Sequence, residues 1–238
     1  MTGTLANVSL ILFGGLFFFF RRKELSAENQ QLTRVLIAMM VLYSGIHLLW
    51  THLSGSFLHV LGQLGILFVS LNLGRLLGSV LRLQQGFNRI ARFAKNRLTE
   101  PDKRPAHEKT GFLLASGLFC VTPLAFIGAL VEGSSADPFP LIIKGMMDAI
   151  ATISFVRLFG FSVILAVVPV LAMQGTLSLV THQVLLHAAH PELGAALGSC
   201  AGCLVFAVVS LVFGVQQIRL GDYLPSLIVA PLLALWWW

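Results

Sequence analysis

Charged residues are scarce in this chain. Only 11% of its 238 residues are Asp, Glu, Lys or Arg, whereas 56% are hydrophobic. Soluble domains carry about 25% charged residues, because a water-facing surface needs them. The mean hydropathy of +0.85 points the same way. The composition therefore excludes an ordinary soluble enzyme, a secreted disulfide domain and a disordered chain, and it predicts an integral membrane protein with several spans.

Cysteine and catalytic motifs are also scarce. The three cysteines lie in apolar stretches and cannot form a disulfide framework. Cys200 and Cys203 have CxxC spacing, but their apolar surroundings favour packing over redox or metal chemistry. No Walker loop, HExxH motif or GxSxG elbow occurs. We therefore predict no catalytic residue, no metal site and no cofactor, and nothing in the sequence supports an enzyme.

Long apolar runs are what the sequence has instead. Crossing about 30 Å of hydrocarbon takes about 20 mostly apolar residues. Eight stretches meet this requirement, at 3–20, 35–53, 57–81, 111–131, 141–156, 161–180, 193–215 and 223–238. The fifth and sixth are separated at Arg157–Gly160, and one long span there is the alternative. The predicted fold is all-α, a polytopic transmembrane bundle of about seven or eight spans.

The basic residues are distributed unevenly between the loops. If the N-terminus lies outside, the cytoplasmic side holds Arg34, the basic cluster 21–23 and the basic residues between 82 and 109. Only Lys144 then lies toward the outside. This asymmetry is the positive-inside pattern. It accounts for the net charge of +6 without a nucleic-acid partner, and it predicts a cytoplasmic loop at 82–110.

The loop at 82–110 divides the chain. Apolar residues recur at helical spacing in its first part, at Leu83, Phe87, Ile90, Ala94 and Leu98, with basic residues between them. This pattern predicts an amphipathic helix on the membrane surface that binds anionic lipid of the bilayer. The remainder is a polar linker. We thus expect a three-span half at 1–81, the basic segment at 82–110, and a second half of four to five spans at 111–238.

Ionisable residues within spans are costly and usually functional. Asp148 is the clearest case, and Lys144 lies four residues before it, on the same helix face. We interpret the two as a charged site that faces a pathway for a small solute or ion, with Asp148 as the candidate for a coupling proton. The alternative is an ion pair that only holds helices together.

Three further polar residues complete the predicted pathway. Gln174 lies in the sixth span, Asn7 in the first, and Glu132 borders the fourth on its outer side. Buried amides need partners in hydrocarbon, so each amide also has a structural interpretation as an interhelical hydrogen bond. Glu132 has the ordinary alternative of an acidic residue in an outer loop.

Small residues form repeated faces on two spans. Gly194, Gly198 and Gly202 recur every four residues in the seventh span, and Gly74 and Gly78 in the third. Such faces allow close helix packing, within the chain or between the subunits of a homo-oligomer. A short match between 44–49 and 213–218, in spans of opposite direction, suggests an inverted repeat.

Five segments in order resemble the YqgA-like bacterial inner-membrane family, also called domain of unknown function 554. They are Gly3-Thr-Leu-Ala-Asn7, the stretch 120–133 that begins Cys-Val-Thr-Pro, Lys144-Gly-Met-Met-Asp148, Gln174-Gly175 and Asp222-Tyr-Leu-Pro225. Thr122 departs from the glycine of the family pattern, and Asp222 from its asparagine. The resemblance implies a multi-pass protein of the bacterial inner membrane, and it supplies no function beyond a candidate transporter.

The leading functional hypothesis is a small-solute or ion transporter or channel that uses the charged site at Lys144 and Asp148. The alternative is a membrane scaffold, sensor or assembly partner that packs through the glycine faces. An enzyme acting on lipid is a third hypothesis, for which the sequence offers no nucleophile.

Overall fold

The computed structural model describes residues 1–21, 27–99, 108–188, 190–213 and 218–237. Throughout these ranges the regular structure is helical and no strand occurs. The helices are α1 (Thr2–Arg21), α2 (Ala27–His52), α3 (Phe57–Val80), α4 (Leu83–Thr99), α5 (Glu108–Val121), α6 (Pro123–Ser135), α7 (Phe139–Phe159), α8 (Val167–Ala188), α9 (Pro191–Val212), α10 (Leu220–Tyr223) and α11 (Ser226–Trp237), with a 3₁₀ helix at Phe161–Ala166. The predicted all-α class is confirmed.

The number of spans also agrees with the sequence. In the described part of the chain, seven helical stretches are long and apolar enough to cross a membrane. Together, α5 and α6 meet the same criterion with a bend of 56° at their junction, and they count as an eighth candidate span. The stretch 141–186 is divided into two helices at Gly160, whose φ of +78° lies in the left-handed region that glycine adopts most readily. The predicted break at this glycine is confirmed.

The two ends of the bundle are defined by contacts between distant residues. At one end, which we call the Glu132 face, Glu132 meets the start of α1, and His59 lies 3.7 Å from Glu192. The other end is where α1 ends and α2 begins, and we call it the Arg34 face after the residue in the first turns of α2. Here the rings of Phe19 and Phe161 pack edge to face, with their centroids 5.6 Å apart. The eight crossings therefore alternate in direction. Which face is cytoplasmic stays a prediction, as does the division into halves.

The central helix of the bundle is α7. It contacts α1 along its length and also packs on α2, α5 and α6. The close approach of α1 depends on glycine, because a Cβ atom added at Gly145 would lie 2.7 Å from Cα of Asn7. A Cβ at Gly14 would overlap the backbone of Ala149 in the same way. The first helix is thus packed against the middle of the chain.

A second close contact joins α2 and α9, which run antiparallel. Gly45 of α2 faces Phe206 of α9, and Gly202 of α9 faces Leu49 of α2. This reciprocity is what an approximate two-fold axis in the membrane plane produces. The predicted repeat match between 44–49 and 213–218 includes residues 214–217, which lie outside the described residues, so that match stays a prediction.

The amphipathic segment forms α4, which packs at the Arg34 face. Phe87 contacts Gly221 of α10, and its ring lies 6.5 Å from that of Phe126. Ile90 lies over Gly117 of α5. The side chains at 21–28 and 94–109, which include much of the predicted basic surface, lie outside the described residues.

We expect Gly78→Ala to destabilise the protein, because its Cβ would overlap the backbone carbonyl of Asp222. Overpacking of this kind costs about 1–3 kcal/mol. Gly194→Ala is the matched control, because a methyl group added there would meet nothing within 4 Å. Thermal unfolding in detergent should show a lower Tm for Gly78→Ala and an unchanged or higher Tm for Gly194→Ala. Equal losses in both variants would contradict the packing account.

Candidate functional site

The charged residues predicted within the spans form a buried ion pair on α7. The Lys144 ammonium donates to the Asp148 carboxylate one helical turn away, and the two residues are 2% and 5% exposed. The Lys144 ammonium also lies 5.6 Å from the centre of the Phe119 ring. Taking each charge out of water costs several kcal/mol, and the attraction between the two charges offsets that cost. A substitution that neutralises only one of them would leave an uncompensated buried charge, at a large penalty in stability.

A helix break lies near this pair, where α5 ends and α6 begins. Pro123 is the first residue of α6 and has no N–H, and Thr122 before it is extended, at φ −66° and ψ 139°. The Thr122 hydroxyl does not cap the helix. Its Oγ1 atom is buried and, among the described residues, has no hydrogen-bond partner. The N-terminal end of α6, which carries a partial positive charge, therefore has an unused hydroxyl beside it.

A cavity of about 640 Å³ connects these features. Its walls come from α2, α7, α9 and the start of α6, and they are mostly apolar. Five of its described lining residues are polar: Thr33, Arg34, Thr122, Lys144 and Asp148. Arg34 is exposed near the start of α2, whereas the ion pair is buried in the first half of α7. The cavity thus runs from the Arg34 face into the interior of the bundle.

The two predicted amide residues pair with each other rather than with the ion pair. Asn7 Nδ2 donates to Gln174 Oε1 at 3.0 Å, and both residues are fully buried. Within the described part of the chain, Asn7 Oδ1 and Gln174 Nε2 have no partner. Neither amide lines the 640 Å³ cavity. The pair joins α1 to α8 beside Gly145 of α7.

Glu132 is placed elsewhere again, at the start of α1. Its carboxylate accepts hydrogen bonds from the Gly3 backbone N–H at 2.5 Å and from the Thr4 hydroxyl at 2.6 Å. A carboxylate at a helix N-terminus satisfies free N–H groups and interacts favourably with the helix dipole. Nine residues separate Glu132 from Pro123 along α6, a distance of roughly 14 Å at 1.5 Å per residue. The structure therefore places the five predicted pathway residues at three different positions.

The glycines predicted for packing differ in their surroundings. Four have a neighbouring helix at the position of a Cβ, and Gly194 faces open space. The four contacts are Gly198 with His52, Gly202 with Leu49, Gly74 with Ser226, and Gly78 with Asp222. All four lie within one chain. Their role between subunits stays a prediction.

Sequence reasoning missed Thr122 and the contribution of Arg34 to the cavity. A signal for Thr122 was present, since a proline inside an apolar span frees backbone groups and makes the residue before it extended. Arg34 carried no such signal, because its position beside the cavity depends on how α2 packs on α9. No cluster of three or more His, Cys, Asp or Glu residues suited to a metal occurs in the described ranges.

Comparison with known proteins found relatives over nearly the whole chain. The model of the family described as "Protein of unknown function (DUF554)" matches residues 2–235. The uncharacterized membrane protein YdfK of Bacillus subtilis (strain 168) is 28% identical over 233 residues, which cover 97% of this chain and 94% of that protein. The uncharacterized protein YqgA of Escherichia coli (strain K12) is 30% identical over 167 residues, 69% of this chain and 71% of that protein. No solved structure is significantly similar to the chain.

We expect Glu132→Gln to lower the Tm, because an amide interacts less favourably with the N-terminus of α1 than a carboxylate does. The loss of charge-assisted hydrogen bonds there corresponds to about 1–3 kcal/mol. Glu192→Gln is the control, since this carboxylate is partly exposed and lies 3.7 Å from His59 in a surface pair. Thermal unfolding of the two variants in one detergent checks the prediction. A Glu132→Gln variant as stable as Glu192→Gln would contradict it.

Proposed function

The chain belongs to the DUF554 family, an integral membrane family of unknown function, and we propose that it transports a small anionic solute across the membrane. The observation that carries this proposal is the position of the Lys144–Asp148 pair on the wall of a cavity that starts at one face of the bundle. Ionisable groups that line cavities between spans mark solute and ion pathways in membrane proteins.

The cavity distinguishes this pair from one that only holds helices together. A pair that only holds helices together needs no open space beside it, because its charges attract each other more strongly where water is excluded, although desolvation offsets that gain. Here both residues line a space of about 640 Å³, within the range of small-molecule sites. A solute bound in this space would therefore lie next to the buried pair.

The charges of the cavity favour an anion. Among its described lining residues, Arg34 and Lys144 are cations and Asp148 is the one carboxylate. The positive end of the α6 dipole adds to the excess, and backbone N–H groups at helix N-termini commonly bind anions. The Thr122 hydroxyl supplies an additional donor, and its buried oxygen has no partner among the described residues. We infer that an anionic group of the solute binds between Lys144, Thr122 and the start of α6.

The two interruptions of the helices suit movement around this site. α6 begins at the break after Thr122, and α7 ends at Gly160, which the 3₁₀ helix follows. Discontinuous helices that pack on a binding site are common in secondary transporters, where alternating access is a rocking of one group of helices against another. We interpret the present state as open toward the Arg34 face, which is the cytoplasmic side under the predicted orientation.

We expect Thr122→Val to weaken solute binding without lowering stability, because the hydroxyl that it removes satisfies no described partner. The solute is first identified by a thermal-shift screen of purified protein against acetate, lactate, succinate, glutamate and phosphate, since a ligand of the native state raises the Tm. Ser44→Ala is the matched control, because it removes another buried hydroxyl oxygen without a described partner, outside the cavity. The ligand-induced shift should shrink in Thr122→Val alone. No shift of the wild type with any anion would contradict the proposal and favour the scaffold alternative.

We expect the double variant Lys144→Gln/Asp148→Asn to fold but to lose transport. Removing both charges leaves no uncompensated ion, whereas Asp148→Asn alone strands a buried ammonium at a cost of about 3–5 kcal/mol. Uptake of the stabilising anion into proteoliposomes measures transport, and the Tm measures folding. Uptake at the wild-type rate in a well-folded double variant would show that the pair is structural only.

A further inference from the structure

A second polar pocket lies at the Arg34 face. It shares no described residue with the cavity of about 640 Å³ that the ion pair lines, which we call the central cavity. It has a volume of about 410 Å³ and lies between the end of α3, the first turns of α4 and the start of α10. Four arginines line it: Arg82, Arg89, Arg92 and Arg219. Three belong to α4 or the turn before it, and the fourth comes from a segment more than 100 residues later in the sequence.

Within the described part of the chain, no ion pair neutralises the positive charge of this pocket. No carboxylate among the described residues lies within 4.0 Å of any of the four guanidinium groups. Asp222 is the one acid among the described residues of the pocket wall, and its Oδ1 atom accepts a hydrogen bond from the Gln84 backbone N–H at 3.1 Å. Gln84 Oε1 accepts in return from the Gly221 backbone N–H at 2.8 Å. These two bonds join α4 to α10 and leave a net excess of three positive charges in the pocket.

Local structure holds the arginines together. Arg82 adopts a left-handed backbone conformation, with φ of +54°, at the turn where α3 gives way to α4. Arg89 and Arg92 are three residues apart within α4, which places them on one side of that helix. Phe87 packs against Gly221 and so anchors α4 beside α10. Four like charges are thus kept close at a site where repulsion alone would separate them.

The pocket lies at the ends of two candidate spans, which is the level where lipid phosphate groups are expected. One span ends at Val80, and the last span begins at Leu220, so the pocket residues lie where two spans reach the edge of the apolar layer. On the adjoining surface, α3 exposes Leu76, Leu77 and Val80, the last at 71%. A headgroup in the pocket would therefore have apolar surface for its acyl chains beside it.

We propose that this pocket binds the phosphate of an anionic phospholipid. Guanidinium groups bind phosphate oxygens through paired hydrogen bonds, and arginine is preferred over lysine where that geometry matters. Free inorganic phosphate has the same chemistry, but it would not use the apolar surface of α3. The site does not depend on the transport proposal, because none of its residues lines the central cavity.

The test uses the purified full chain in a non-ionic detergent, with Arg219→Gln, Arg89→Gln and the double variant. Arg75→Gln is the charge-matched control, because Arg75 lies over the Tyr223 ring at 5.8 Å and does not line the pocket. Mixed micelles containing phosphatidylglycerol, phosphatidylcholine or no lipid are compared, with inorganic phosphate as a separate addition. The Tm is measured, and native mass spectrometry counts the retained lipid.

We expect phosphatidylglycerol, and not phosphatidylcholine, to raise the Tm of the wild type and of Arg75→Gln. The apparent affinity should fall roughly fivefold for each pocket arginine removed, and added salt should weaken it further. A matching rise with inorganic phosphate alone would overturn the lipid assignment and identify a soluble anion site. Equal responses in the pocket variants and in Arg75→Gln, or equal responses to the two lipids, would overturn the proposal altogether.

Discussion

The buried ion pair of α7 is the interaction on which the arrangement of the bundle depends. Lys144 and Asp148 sit one turn apart on the helix that contacts α1, α2, α5 and α6, and both are nearly inaccessible. In a low dielectric each charge is tolerable only beside its partner, so the surrounding helices must keep that geometry. Glycines at 14 and 145 let α1 approach closely enough to cover this helix. The helix that carries the pair is thus tightly covered by α1 on one side, while the pair itself lines the cavity.

Backbone polar groups impose a second constraint. In lipid, a helix can be interrupted only where protein or water satisfies the freed groups. Both interruptions, at Thr122-Pro123 and at Gly160, are flanked by helices of the bundle, and the first opens into the cavity. The start of α6 thereby contributes a positive helix end and a hydroxyl to the space that the ion pair lines. Helix breaks that would be costly against lipid become part of a polar site inside the protein.

The two faces of the bundle differ in how their charges are used. At the Glu132 face the described acids have partners, since Glu132 caps α1 and Glu192 lies beside His59. At the Arg34 face a cluster of four arginines has no acidic partner among the described residues, and both the cavity and the arginine pocket lie at this end. The described acids of one face are therefore paired within the chain, whereas the other face carries the positive charge on which both binding proposals rest.

Features that depend on near neighbours in the chain could be predicted from the amino-acid sequence alone. Apolar runs predicted the spans, Gly160 marked the break between α7 and the next crossing, and four-residue spacing placed Lys144 beside Asp148. Tertiary structure decided which distant residues join them: Thr122 and Arg34 reach the cavity, Glu132 reaches a helix end 128 residues away, and Asn7 finds Gln174 instead of the ion pair. The physical reason is that lipid and protein interior are both apolar, so hydropathy indicates that a helix spans the membrane but not which helix it packs against. Close contact through glycines and buried hydrogen bonds makes that choice, and those depend on three-dimensional geometry that no local pattern contains.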